Sequence, residues 1–256
     1  MLHSSEPPQR PIVAPQVKPQ RLPKTVDLRA RFAAYGLEPR SQGSRGTCSV
    51  FAMIGVLEFE SAQSRPERQP RLSVEYLNWA SHQTNHRRQD GSFFSDAING
   101  LVAHGVCKED LMPYAHAFDA DIVPPSDAST EAQARRQVTA HWIKEWDVKT
   151  GLTAAQLTAI RQALADGHPV AVGLRWPKHV HFDDQDVMNL PPPEEVFDGH
   201  SIVLSGYKED RNAPGGGVFL FRNSSGPNWH AGGYAYFTYA YALAYANDAV
   251  TLQVGE

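Results

Sequence analysis

Cysteine is nearly absent from this chain: Cys48 and Cys107 are the only two in 256 residues. Two thiols cannot build a disulfide framework, so stability has to come from a packed core, and at least one thiol is expected to be free. Charge of one sign is missing too. Twenty-four Lys and Arg against 28 Asp and Glu leave a formal charge of −4, which offers no general attraction to phosphate backbones or anionic lipid. Neither nucleic acid nor a membrane is expected as a partner. No apolar run approaches the roughly 20 residues that span a bilayer. The aromatic stretch from Tyr234 to Ala246 is shorter, is broken by Thr238, and reads as strand and loop. The N-terminus lacks the apolar core of a secretory signal, which leaves the compartment open between cytoplasm and export by another route. There is no internal repeat or heptad seam.

What is present is ordinary globular composition, 41% hydrophobic and 20% charged, enough for one large domain or two lobes. Residues 1–22 carry Pro7, Pro8, Pro11, Pro15 and Pro19 and are read as a proline-rich extension, with a domain over 23–256. Helical spacing of Val50, Phe51, Met53, Ile54 and Leu57 predicts a largely buried helix beginning at Cys48. Further helices are predicted from Ser73 as N-cap, over "SDAINGLVAHG" closed by Gly105, and from Thr153 to Gly167. The region Val123 to Ser126 reads as a Pro-containing loop. Strands are predicted in "PVAVGLRW", "HSIVLSGYK", "GVFLFRNS" and "GYAYFTYAY". The organisation is therefore α+β, with a helical lobe over about 40–115 and a β-rich lobe over about 116–256. Trp79 and Trp142 are expected in the core, and Cys107 under the helix that ends at Gly105.

A thiol at a helix N-terminus meets unpaired N–H groups and the positive end of the helix dipole, which favour thiolate. Cys48 has that placement, although a small buried apolar role fits position alone equally well. Gln42 lies across a Gly-rich turn, where its amide either returns to the sulfur as an oxyanion donor or is simply solvated. Thiolate acyl chemistry also needs a base and a group that orients it. His200, at the mouth of an apolar strand, and Asn223, at the end of the next, are the candidates.

The blocks "QGSRGTCSVFA", "LSVEYL", "DGSFFSDAINGLVAHGVCKEDLMPY", "DGHSIVLSGY" and "FRNSSGPNWHAGGYAYF", in that order over about residues 22–245, resemble the papain-like cysteine peptidases, particularly bacterial members poor in disulfides. The resemblance implies a two-lobed fold, helical lobe plus antiparallel β-barrel-like lobe, with the active-site cleft between them. It implies an endopeptidase acting through a thioester, with Cys48 as nucleophile, His200 as acid and base, Asn223 as orienter, and Gln42 with the Cys48 N–H as oxyanion hole. Gly91, Ser92, Gly199 and Trp229 fall where substrate contacts are expected. His200 sits at the limit of the family's downstream spacing of roughly 130 to 150 residues, and Asn223 beyond it. The partner implied is a peptide or protein substrate, with no metal or organic cofactor.

Several positions depart from the pattern. Arg45 stands where a half-cystine is common, Ser49 replaces the aromatic after the nucleophile, and Ser92 replaces the second glycine of a pair. Ser225 stands where a tryptophan usually shields the Asn–His hydrogen bond, which implies more water there and modest activity. Rival readings are a peptide-binding protein without turnover, another acyl transferase or amidase using the same triad, and metal binding by His179, His181 and Asp183 in "HVHFDD". The acids Asp183, Asp184, Asp186, Glu194, Glu195 and Asp198 before His200 are read as a solvated loop, with selection of basic peptides as the sharper alternative. The extension, with Ile12 and Val13, is a candidate inhibitor in cis or a linker.

Overall fold

The structure is a computed structural model and describes residues 22–65, 71–86 and 88–255; the proline-rich extension, with Ile12 and Val13, lies outside the described residues. In chain order the elements are β1 (Thr25–Asp27), α1 (Arg29–Ala34), α2 (Cys48–Ser64), α3 (Val74–Asn85), α4 (Phe94–His104), α5 (Ser126–Ala132), β2 (Val138–Lys144) and α6 (Ala154–Ala165). Then come β3 (Val170–Pro177), β4 (Val187–Met188), β5 (Val196–Glu209), β6 (Gly217–Arg222), β7 (Tyr234–Thr238), α7 (Tyr239–Tyr245) and β8 (Ala246–Val254). Helices dominate the first half and strands the second, so the class is α+β.

One mostly antiparallel sheet runs in the order β2-β8-β3-β5-β6-β7-β4, with β1 paired to β5 and only β4–β7 parallel. Helix α2 is apolar nearly all round and is buried along most of its length, as that pattern demands. It packs on β3, β5 and β8 on one side and on α3 and α4 on the other, so the residue at its N-terminus lies where helices and sheet meet. Val50, Met53, Ile54, Leu57 and Phe59 are almost wholly removed from water, at about 1.5 to 3 kcal/mol each.

Local capping explains the other long helices. The Ser73 hydroxyl accepts from Tyr76 N and starts α3. Thr153 and Gln156 exchange bonds in a capping box at α6. Gly105, at φ 76°, ends α4.

Some expectations are corrected. The segment Tyr239–Tyr245, read as the end of a strand and a loop, is helix α7, because the Thr238 hydroxyl accepts from Tyr241 N and Tyr239, Tyr241, Ala242 and Tyr245 find buried positions. Trp142 is 36% exposed rather than core: β2 is the end strand of the sheet, and one of its faces looks outward. The Pro-containing loop gives way to α5 at Ser126, and Ala128 and Ala132 pack with Tyr76, Ala80, Cys107 and Met112 in a second small core. Because α5 joins the helices, we propose that the lobes divide near residue 136 rather than 116. Cys107 is fully buried, and burial pushes its thiol up to about 12, so it is chemically inert.

Candidate active site

At the start of α2 the N-cap residue Thr47 gives no side-chain cap, because its hydroxyl is 2.7 Å from that of Tyr114. The first N–H groups of the helix are thereby left for the sulfur of Cys48 and for whatever binds beside it. Cys48 Sγ donates weakly to the Gly199 carbonyl at 3.7 Å. Burial pushes the thiol up, while hydrogen bonds from Ser201 and from the Ser49 and Cys48 N–H groups pull the other way. The helix terminus alone would lower it; desolvation between helix and sheet outweighs that pull.

His200 and Asn223 are carried on the paired strands β5 and β6, Asn223 directly following Arg222, whose Cα partner is Val203. His200 Nε2 lies 2.8 Å from Asn223 Oδ1. Asn223 is held from both ends: Oδ1 accepts from Ser224 N at 2.9 Å and Nδ2 donates to Ser225 Oγ at 3.0 Å. That orientation makes Nε2 the donor, so the neutral ring carries its proton there and leaves Nδ1 basic. Burial pushes the imidazole down, opposed by the Asn223 bond.

Trp176, which sequence reading missed, packs on His200 with ring centroids 4.4 Å apart. It comes from β3, beside Phe197 of β5, and its other neighbour is Phe221 at 6.0 Å. The hydrophobic cover on the imidazole therefore comes from the adjacent strand β3, while Ser225 serves as acceptor for the Asn223 amide. The only sequence signal was a tryptophan two residues beyond a buried run, which does not say where the ring points.

Gln42 is clamped between lobes. Its backbone N–H donates to Ser224 O at 2.9 Å, its Nε2 donates to Arg45 O at 2.7 Å, and its Oε1 accepts from the Ser224 hydroxyl. One N–H of the amide remains beyond the Arg45 bond.

Arg45, the half-cystine position of the pattern, is 4% exposed at its side chain and uses all five N–H donors. Nε and one terminal nitrogen grip Asp90 at 2.9 Å each; the others reach both Glu75 oxygens and the Ala115 carbonyl. The guanidinium also lies over the Tyr114 ring at 4.6 Å. Behind it, Asn78 bonds Asp90 and Gly91 N, and His82 bonds Gly91 O. Gly91 sits at φ 83°, and a Cβ there would fall 2.0 Å from Gly46 O, so the two loops touch backbone to backbone and only glycine fits.

A cavity of about 340 Å³ lies at this junction, and Cys48, His200, Gly91, Ser92 and Gly199 all line it. Trp229 does not; it stacks against Phe182, Phe221 and His230. Asp183, Asp184, Asp186, Glu194 and Glu195 are also outside its lining, and the Asp198 side chain lies outside the described residues. Asp183 Oδ1 instead accepts from the Gln185 and Val187 N–H groups, and Asp186 meets His230 at 2.9 Å. Among the described residues, no three His, Cys, Asp or Glu side chains gather as a metal would require.

The sequence profile of the papain family cysteine proteases matches residues 22–251. This chain belongs to the papain family of cysteine proteases. It is accordingly a papain-like cysteine peptidase, a hydrolase acting on proteins or peptides. Similar solved structures agree on the fold. Xylellain, a cysteine protease from Xylella fastidiosa, gives a TM-score of 0.73 at 21% identity, covering 92% of this chain and 88% of that one. Procathepsin L 3 from the larval midgut of Tenebrio molitor gives 0.67 at 19%, covering 92% and 71%. The proform of the ragweed pollen allergen Amb a 11, a cysteine protease, gives 0.66 at 20%, covering 93% and 69%. Comparison with curated protein sequences finds no match. Within this papain-family chain, the helix that begins at Cys48 and the strands that carry His200 and lead into Asn223 occupy the two sides of the junction.

Proposed function

We propose that this peptidase is an endopeptidase in which Cys48, His200 and Asn223 form the catalytic triad and Gln42 completes the oxyanion hole. The observation that carries the reading is the 2.8 Å bond from His200 Nε2 to Asn223, on an imidazole that lines the same cavity as Cys48 at its helix N-terminus. Burial disfavours a lone thiolate and a lone imidazolium alike, yet the two charges together compensate each other. Proton transfer from Sγ to Nδ1 therefore creates the nucleophile and the acid in one step.

The thiolate attacks the scissile carbonyl carbon, and the carbonyl electron pair moves to oxygen, where the Cys48 N–H and the free Gln42 amide N–H receive it. Collapse breaks the C–N bond, the leaving nitrogen takes the proton from His200, and a thioester remains on Cys48. His200 then removes a proton from water, the resulting hydroxide attacks the thioester, and the thiol is regenerated with its proton. Asn223 holds the ring in one tautomer throughout. Ser224 couples that orienter to Gln42, since it bonds both.

The test is intact-protein mass spectrometry during turnover of a peptide ester, together with Cys48→Ala. A transient acyl adduct that maps to Cys48 and disappears in the variant is expected. Undiminished peptidase activity in Cys48→Ala would overturn the triad, and stable peptide binding without any cleavage by the native chain would favour the peptide-binding alternative. We also propose inhibition in cis by the proline-rich extension, which loses little entropy on docking. A chain starting at Leu22 is then expected to show a lower apparent KM than the full chain; equal constants would remove the idea.

A further inference from the structure

The backbone from Asp90 to Phe93 forms one wall of the cavity that Cys48 and His200 line. The polar groups of Gly91 and Ser92 are engaged almost without exception. The Gly91 N–H donates to Asn78 Oδ1 at 3.2 Å and to Asp90 Oδ1 at 3.1 Å. The Gly91 carbonyl meets His82 Nε2 at 2.9 Å, and because a carbonyl only accepts, that nitrogen carries the proton. The Ser92 carbonyl accepts from the hydroxyl of Ser49, in the first turn of α2. The Ser92 hydroxyl turns back to the Phe93 carbonyl at 3.0 Å. One group is left over: the Ser92 N–H has no partner among the described residues.

The direction of that N–H is set at the other end of its peptide unit. Peptide bonds in the described chain are trans, so the C=O and N–H of one unit point opposite ways. Asn78 and His82 stand four residues apart on α3, the spacing that puts both on one helix face, and together they hold the two polar groups of Gly91. The His82 ring is itself steadied edge to face by Phe118, with centroids 5.7 Å apart. With the Gly91 carbonyl drawn toward α3, the Ser92 N–H is turned away from that helix. The facing wall brings Asp248 of β8, 4% exposed and an acceptor already bonded to the Gly173 N–H at 2.9 Å. A peptide carbonyl that enters the cavity therefore meets its backbone donor on the Gly91–Ser92 side.

We propose that His82 is a positioning residue for the substrate backbone: its hold on the Gly91 carbonyl aims the Ser92 N–H into the cavity, where it donates to a backbone carbonyl of the bound peptide, while Ser49 fixes the next peptide unit from α2. The inference rests on the peptidase reading above. It gives the serine after Cys48 a task, since a hydroxyl at that position reaches the opposite loop with a hydrogen bond. Without the His82 donor the unit is free to swing, and binding has to order it.

The experiment is a thioamide scan. The peptide of a random hexapeptide library that binds Cys48→Ala most tightly is made with each backbone C=O replaced in turn by C=S, a weaker acceptor of nearly the same shape. Binding is read by calorimetry on Cys48→Ala, with and without His82→Leu. At one position the thioamide is expected to weaken binding by about 3- to 10-fold. His82→Leu should itself weaken binding of the parent peptide by about 5- to 20-fold and shrink the thioamide penalty to within about twofold, the non-additivity of two changes to one contact. His82→Gln, which keeps a donor, should restore most of both effects, and Ser49→Ala should repeat them more weakly. In the chain with Cys48 present, the loss in His82→Leu should fall on KM rather than kcat, and iodoacetamide should alkylate Cys48 at the native rate. A thioamide penalty of equal size with and without His82, no sensitive position at all, or a fall in kcat alone overturns the inference. If His82→Leu does not fold, Ser49→Ala carries the same cycle, and full additivity there overturns it. Because binding is read on Cys48→Ala, a native chain that cleaves nothing would sink the peptidase reading and leave the outcome of the cycle standing.

Discussion

Arg45 grips Asp90 through two parallel hydrogen bonds of 2.9 Å, and so ties the loop that bears Gln42 to the loop that bears Gly91. A side chain that is 4% exposed and has all five donors engaged does the fastening that a disulfide does in the family pattern. Removing it strands Glu75 and Asp90 as partly or wholly buried carboxylates. Arg45→Met is expected to lose about 3 to 5 kcal/mol of unfolding free energy in denaturant titration. A loss under about 1 kcal/mol, the range of an exposed pair, would contradict the burial. With no disulfide present, the native chain should unfold at the same denaturant concentration with and without reductant.

The triad predicts unequal losses. Cys48→Ala and His200→Ala each remove a reacting group and should lower kcat by a factor on the order of 10³ or more, with the unfolding midpoint little changed. Asn223→Ala removes orientation, so a measurable residual rate should persist. If Asn223→Ala and His200→Ala were equally inactive while both stayed folded, Asn223 would be doing more than holding the ring.

Gln42→Ala should lower kcat by roughly 100- to 1,000-fold with KM nearly unchanged, the pattern of a lost transition-state donor. Ser224→Ala leaves the amide in place but frees its oxygen end, so a fall of only about 3- to 10-fold is expected. Steady-state kinetics on one peptide checks both. A rise in KM alone would make Gln42 a substrate-binding residue.

Asp248 predicts a stability effect that needs no substrate. Its folded pKa, about 6, lies above the ordinary 3.8, so the native state holds the proton more tightly than the unfolded chain. That contribution is present at low pH and is lost as pH rises from about 4 through 6. Asp248→Asn, which cannot ionise, should therefore unfold later than the native chain at pH 7.5, by on the order of 3 kcal/mol, and show little difference at pH 4. Equal stability of the two proteins at pH 7.5 would mean that the carboxylate is solvated.

Local chemistry was legible in the sequence wherever it was local in fact. Ser73, Thr153 and Gly105 mark helix ends because their effects are exerted within four residues. Helix α2 and strands β3, β5, β6 and β7 were readable from continuous apolar content. α7 was not, because Tyr239–Tyr245 alternates tyrosine with smaller residues in a way that suits a strand as well, and the helix start is marked by one hydrogen bond from Tyr241 N to the Thr238 hydroxyl. Strands β2 and β8 pair with each other across more than a hundred residues, and nothing in either segment announces that.

The sequence by itself determined that Cys48 begins a buried helix, that His200 lies on an apolar strand and Asn223 just past the end of the next, and that no disulfide scaffold is available. These follow from periodicity, capping and count. Only the tertiary structure decided that Trp176 covers the imidazole, that Arg45 binds the two loops, and that Asp248, rather than Asp183, Asp184, Asp186, Glu194 or Glu195, lines the cavity with Cys48. Burial and partnership depend on which distant segments are brought together, and a charge run in solvent looks the same in sequence as a carboxylate sealed behind a strand.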